Sequence, residues 1–201
     1  MVKAVLFDIG NVLLEWDPAK LYDRLIPDAR ERERIFEEVG LDAMNEAVDL
    51  GAPFKETIYA KADQFPQYGD LIRAWHDRWI EMGQPLIDGS WDILRRLKEK
   101  DIPVYALSNF GVESYNYAKS QYPAFKEFDI EFISGRLKII KPDAAIYEHV
   151  ETQTGLSGSD LAFFDDRTDN IQACQSRGWN GFVFTSPEQM EADLKSLGLV
   201  F

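Results

Sequence analysis

The sequence predicts an α/β protein: a doubly wound parallel sheet with an all-helical cap domain inserted near its N-terminus. Three observations predict it. Short apolar runs bounded by polar residues recur along the chain, segments with helical spacing lie between them, and from about residue 16 to 88 the strand signal gives way to helix alone. Alternating strand and helix is the pattern of a parallel sheet whose crossovers cover both faces, and strands buried on both faces show unbroken apolar runs.

The first run, Ala4-Val5-Leu6-Phe7, predicts the opening strand. The helical block follows, with apolar pairs at Leu21/Leu25, Ile35/Phe36 and Met44/Val48 and the series Leu71/Trp75/Trp79. Ser90 is placed to cap the next helix, whose Ile93, Leu94 and Leu97 share one face and which feeds the run Pro103-Val104-Tyr105-Ala106-Leu107. Leu161-Ala162-Phe163-Phe164 and Gly181 to Thr185 complete the strand set. Ser186-Pro187-Glu188-Gln189 has the form of a capping box with proline at the first helical position; Met190, Leu194 and Leu197 make the buried face and Gly198 the stop. Residues 1–15 and 89–201 are thus assigned to the α/β core and 16–88 to the helical cap, with ligand binding expected between them.

Composition excludes several classes. Of 201 residues, 45% are hydrophobic and 28% charged, the balance of a soluble globular protein. A net charge of −13 offers no basic excess to attract a nucleic-acid backbone or an anionic membrane. The chain opens Met1-Val2-Lys3 without an apolar signal region and has no run long enough to span a bilayer, so a cytoplasmic location is expected. Cys174 is the only cysteine, which removes intrachain disulfides and thiolate clusters, and its spacing from Ile171 suggests helix core.

In an open parallel sheet, ligands bind beyond the carboxyl ends of the strands. The first strand ends in Asp8-Ile9-Gly10-Asn11-Val12, the second in Ser108-Asn109 and the third in Asp165-Asp166, while Lys141 precedes Pro142 and a helical stretch. One edge therefore collects a carboxylate, a hydroxyl, an amine and an acidic pair. Each has an ordinary competitor. Asp8 could cap a turn, and Ser108-Asn109 alone is turn chemistry. Lys141 at a helix start is opposed by the macrodipole unless an anion faces it. Two adjacent carboxylates repel unless a cation lies between them. Trp16, Trp75 and Trp79 could line a pocket but have the spacing of core. His76 and His149 lack partners at metal-ligand spacing and are assigned to the surface, and Arg167 is placed to balance the acidic pair.

Taken together, Phe7-Asp8-Ile9-Gly10-Asn11-Val12, Leu107-Ser108-Asn109, Lys141-Pro142-Asp143 and Phe163-Phe164-Asp165-Asp166 with Asn170 resemble, in order and over nearly the whole chain, the haloacid dehalogenase-like hydrolases. Within them the chain looks most like sugar-phosphate phosphatases related to glucose-1-phosphatase. The resemblance implies a Rossmann-like core and hydrolysis of a small phosphorylated molecule. Asp8 would attack phosphorus and form an aspartyl-phosphate. Ser108 and the Asn109 backbone N–H would hold phosphate oxygens, and Lys141 would neutralise charge. Mg²⁺ would take the Asp8 carboxylate, the Gly10 carbonyl and Asp166, with Asp165 orienting that shell or serving as the alternative ligand. Asn11, Trp16 and Asp17 would form the substrate loop.

One departure matters. Most phosphatases of this kind carry a second Asp two residues after the nucleophile, as acid and base; here that position is Gly10. Slower turnover of alkyl phosphates is expected, since general acid–base help is worth ~10²–10⁴ in rate. Similar sequences with glycine here are nonetheless regarded as phosphatases. A 2-haloacid dehalogenase also lacks the second Asp, but its fourth motif is less acidic. A phospho-accepting receiver-type module places its acidic pair after the first strand and would not carry the helical insertion. A non-catalytic phospho-ligand binder is the remaining alternative.

Overall fold

The computed structural model describes residues 2–199. Strand β1 (Ala4–Phe7) is followed by a short β2 (Leu14–Trp16) and by helices α1 (Ala19–Leu25), α2 (Ala29–Val39), α3 (Leu41–Asp49), α4 (Phe54–Gln64) and α5 (Gly69–Asp77). The chain returns through β3 (Gly83–Leu86) into α6 (Asp88–Lys98), β4 (Val104–Ser108), α7 (Val112–Gln121), β5 (Ile130–Ile133) and α8 (Ser134–Leu137). It ends with α9 (Ala144–Thr154), β6 (Leu161–Asp165), α10 (Thr168–Ser176), β7 (Asn180–Val183) and α11 (Pro187–Ser196).

Five strands form one parallel sheet in the order β5-β4-β1-β6-β7. Because side chains alternate across a strand, the sheet separates two apolar layers. Val5, Phe7, Val104, Ala106, Ala162 and Phe164 face one, with α6, α7 and α11; Ala4, Leu6, Tyr105, Leu107, Leu161 and Phe163 face the other, with α9 and α10. This is the expected doubly wound α/β architecture. The chain runs outward from β1 through β4 to β5, then crosses back to β6 on the other side of β1, so the strand order reverses at the centre of the sheet. Cys174 lies in the second layer, fully buried, as expected.

Three local expectations are corrected. β5 was not anticipated: it is a half-exposed edge strand, so Glu131 interrupts its apolar run. The segment read as wholly helical contains β3, which pairs antiparallel with β2, Leu14 opposite Leu86 and Trp16 opposite Gly83. Gly83-Gln84-Pro85-Leu86 has no strand-forming composition and is a strand by pairing alone; β2 and β3 zip together the two crossings between sheet and helical block. Ser90 is not a cap, because α6 begins at Asp88 and buries the Ser90 hydroxyl in its first turn, where it has no hydrogen-bond partner among the described residues. The Ser186 cap does form, accepting the Gln189 N–H at 3.2 Å, and Gly198 is left-handed at φ +81°.

The helical block packs on the core at close range. A Cβ on Gly51 (φ +102°) would lie 2.6 Å from the Gly135 carbonyl oxygen, and one on Gly111 would lie 2.4 Å from Val48 Cγ1. The C-terminal end of α3 therefore meets the starts of α7 and α8 backbone to backbone.

Candidate active site

Asp8 follows the central strand directly and is held there by its N–H, which donates to the Phe164 carbonyl at 2.8 Å. Its side chain is 11% exposed, and Oδ1 accepts the Ile9 N–H at 2.7 Å. From the neighbouring β4, the buried Ser108 hydroxyl donates to the Asp8 carboxylate. Lys141 arrives from the loop before α9. Its Nζ lies 3.0 Å from Asp8 Oδ1, 2.6 Å from Asp165 Oδ2 and 2.9 Å from the Leu107 carbonyl, so all three ammonium hydrogens are committed. The side chain is 1% exposed and lies over the Phe163 ring. The anion that a lysine before a helix start requires is thus present, as the Asp8 and Asp165 carboxylates. Asn109 fixes the loop, accepting the Lys141 N–H at 2.8 Å and donating to its carbonyl at 2.9 Å.

The acidic pair divides by orientation. Asp165 is fully buried and saturated: Oδ1 accepts from the Arg167 N–H and Asn170 Nδ2, and Oδ2 from Lys141 and Asn170. Asp166 is half-buried and accepts Asn11 Nδ2 at 3.0 Å and its own backbone N–H, with no cation paired to it among the described residues. Arg167 does not balance the pair, because its guanidinium is turned to Asp169 at 2.6 Å. Oxygens of Asp8, Asp165 and Asp166 lie within 4.8 Å of one another.

This crowding has electrostatic consequences. Burial pushes the Asp8 carboxyl up to about 7, reinforced by Asp165 and Asp166 and opposed by Lys141 and the Ser108 hydroxyl. Burial also raises Asp166. The two carboxylates beside Lys141 overcome the burial penalty and raise its pKa. Three carboxylates against one ammonium leave a negative pocket of hard oxygen donors, which suits Mg²⁺ better than a soft metal. Asp166, with unfilled acceptor capacity, fits such an ion more readily than the saturated Asp165.

A cavity of about 670 Å³ opens from these strand ends toward the helical block. Asp8, Gly10, Asn11, Ser108, Asn109, Lys141 and Asp166 all line it. Asn11, left-handed at φ 55°, also accepts the Trp16 N–H at 2.9 Å, tying the loop after β1 to the acidic pair. Trp16, Trp75 and Trp79 are at once core and wall: Trp16 stacks on Trp79 at 5.3 Å between ring centroids, and Trp75 is 1% exposed, yet all three border the cavity. Asp17 does not border it. Its Oδ1 accepts the Ala19 N–H at 2.8 Å, so it serves the start of α1 instead. His76 pairs with Asp77 at 2.7 Å and lies outside the cavity lining, as does His149.

Sequence reasoning missed one wall. Asp42, Asn45, Glu46 and Asp49 border the cavity from α3. Their spacing of three, four and seven residues marks one helical face, but a polar face opposite Leu41, Met44 and Val48 has the same pattern as a solvated one.

Comparison with known proteins agrees with this geometry. The family model of haloacid dehalogenase-like hydrolases matches residues 2–178. A sesquiterpene phosphatase of Aspergillus oryzae is 26% identical over 196 residues, 97% of this chain and 96% of that protein. Among solved structures, a HAD-like family hydrolase from Porphyromonas gingivalis superposes with a TM-score of 0.73 at 18% identity, covering 100% of both chains. A HAD family enzyme from Bacteroides thetaiotaomicron, in complex with magnesium and inorganic phosphate, superposes with a TM-score of 0.70 at 20% identity, covering 92% of this chain and 96% of that one.

Proposed function

The chain belongs to the haloacid dehalogenase-like hydrolases, and from that premise we propose that it is a Mg²⁺-dependent phosphatase of small phosphorylated metabolites. The observation that carries the reading is the convergence of Asp8, Ser108, Lys141 and the acidic pair on one cavity. Asp8 Oδ attacks phosphorus as the ester bond breaks, and water then hydrolyses the aspartyl-phosphate. Ser108 and the Asn109 N–H bind phosphoryl oxygens. Lys141, its hydrogens already committed, acts through its charge and by fixing Asp8. Asp8, the Gly10 carbonyl and Asp166 would hold Mg²⁺, which when bound supplies charge neutralisation for the phosphoryl group; Asp165 positions Lys141 from behind.

The tryptophan wall supports substrates whose organic part is apolar or ring-shaped. That class spans the sugar phosphates suggested by the motifs and the terpenoid phosphates suggested by the Aspergillus relative. A 2-haloacid is disfavoured, because Asp165, Asp166 and the acids of α3 would repel its carboxylate and the departing halide.

The test is a screen of sugar phosphates, prenyl phosphates, nucleotides and simple phosphate esters, with and without Mg²⁺, beside Asp8→Asn. Phosphate release that needs both the ion and Asp8 is expected. Activity surviving the substitution, halide release without Mg²⁺, or phosphate binding without turnover would each overturn the proposal.

A further inference from the structure

We propose that Asp49, at the C-terminal end of α3, is the catalytic acid and base of this site and fills the role that Gly10 leaves open. The inference rests on the phosphatase reading above and names a residue for it.

The vacancy at Gly10 is real space. A Cβ there would come no closer than 3.8 Å to its nearest neighbour, the Trp16 Cβ, so a side chain can begin at this position without a clash, and the sequence places no second carboxyl on it. The helical block offers Asp42, Glu46 and Asp49 across the same cavity; Asp42 and Glu46 are exposed, whereas Asp49 is partly buried. Its placement is fixed from three sides. Asn45 Nδ2 donates to Oδ2 at 3.0 Å, the Gly111 N–H donates to the carboxylate, and the Ser134 hydroxyl donates to the Asp49 carbonyl at 2.6 Å. Gly111 lies two residues past Asn109, and Ser134 also accepts the Phe110 N–H at 2.8 Å. The carboxyl is thus tied to the segment that follows the phosphate-binding Ser108-Asn109 pair, and the close approaches of Gly51 and Gly111 leave α3 little freedom to withdraw it. Burial and the charge of Asp8 raise the carboxyl to about 7, which leaves it able to give and take a proton near neutrality.

In the first half-reaction, protonated Asp49 gives its proton to the ester oxygen as the P–O bond to the leaving group breaks and the bond from Asp8 Oδ to phosphorus forms; the alcohol leaves. In the second, the Asp49 carboxylate takes a proton from water as the water oxygen attacks phosphorus and Asp8 departs. Inorganic phosphate is released and Asp49 is protonated again.

The experiment compares wild type, Asp49→Asn and the double variant Gly10→Asp/Asp49→Asn in rapid-quench assays with Mg²⁺. Two substrates are used: an alkyl phosphate and p-nitrophenyl phosphate, whose leaving group needs no proton. In Asp49→Asn, alkyl phosphate turnover should fall by ~10²–10⁴. p-Nitrophenyl phosphate should still give a burst of nitrophenol equal to the enzyme concentration, followed by slow release of phosphate from Asp8. The burst itself shows that the variant is folded; Asp49→Ser is used if the amide variant does not fold. Alkyl phosphate turnover should recover in the double variant, since a Cβ at Gly10 meets no close neighbour and the aspartate stands two residues from Asp8. Equal loss of burst and alkyl turnover, or retention of both, would overturn the role of Asp49 while leaving wild-type phosphatase activity standing. A wild type that hydrolyses neither ester would instead overturn the phosphatase reading, and this inference with it.

Discussion

Replacing Lys141 by methionine removes a charge while keeping most of a volume, and the surroundings make the cost large. Its ammonium lies 3.0 Å from Asp8 Oδ1 and 2.6 Å from Asp165 Oδ2, with the Asp165 side chain at 0% exposure. Removing one partner from a buried ion pair leaves an uncompensated charge and costs ~3–5 kcal/mol. For a chain of this size each kcal/mol shifts the melting midpoint by about 2–4 °C, so a fall of roughly 6–20 °C is expected. The deficit should also depend on pH. Lys141 pulls the Asp8 pKa down, so without it the folded carboxyl rises above the wild-type value of about 7, while in the unfolded chain it titrates near its ordinary ~3.9. The folded variant then binds a proton that the unfolded chain does not, and stability returns as pH falls through the folded value. Urea unfolding followed by tryptophan fluorescence at pH 6 and pH 8 reads both effects. A variant within about 1 kcal/mol of wild type at pH 8, or a deficit that grows on acidification, would refute the reasoning.

Two further outcomes follow from the same geometry. On the proposed function Mg²⁺ would take Asp8 as the carboxylate, and burial pushes that carboxyl up to about 7, so Mg²⁺ affinity should rise about tenfold from pH 6 to pH 8 with proton release. Titration calorimetry in two buffers of different ionisation enthalpy measures this, and a flat affinity would contradict it. Gly51→Ala combines a left-handed backbone at φ +102° with a Cβ 2.6 Å from the Gly135 carbonyl oxygen, a backbone atom that cannot rotate away. A loss of ~1–3 kcal/mol in chemical denaturation is expected, and an unchanged midpoint would show that α3 does not seat on α8 as described.

What the sequence revealed and what it hid follow from burial. β1, β4 and β6 were legible because both their faces are covered, so every residue of the run had to be apolar. β5 and β3 were not, since a half-exposed edge strand and a two-stranded ribbon satisfy their backbone by pairing and place no such demand on composition. The chemistry of the strand ends was legible for a related reason: a carboxylate directly after an apolar run has few structural uses. Lys141 was identified by type but not by environment, because burial of an ammonium depends on Asp8 and Asp165, distant in sequence. Asp49 was invisible, since its neighbours across the cavity come from β1, β4 and the loop before α9, and its own helix shows only an ordinary polar face.

The charge balance at the strand ends links metal, substrate and family alternative. Asp8, Asp165 and Asp166 face a single ammonium, and α3 adds Asp42, Glu46 and Asp49 across the cavity. A phosphate dianion entering such a pocket alone would meet more carboxylates than Lys141, Ser108 and Asn109 can offset. Accompanied by a divalent cation, it enters as a nearly neutral pair, and the surplus of carboxylates becomes the donor set that holds the ion. A 2-haloacid gains nothing from that arrangement. Its carboxylate has no cation to accompany it in a metal-free reaction, and Arg167, the nearest guanidinium in the cavity wall, is committed to Asp169. On the proposed function, the surplus of carboxylates that adds to the effect of burial on Asp8 would favour phosphoryl chemistry, because a divalent cation held by those carboxylates would offset the charge of a phosphate and not be called on by a 2-haloacid.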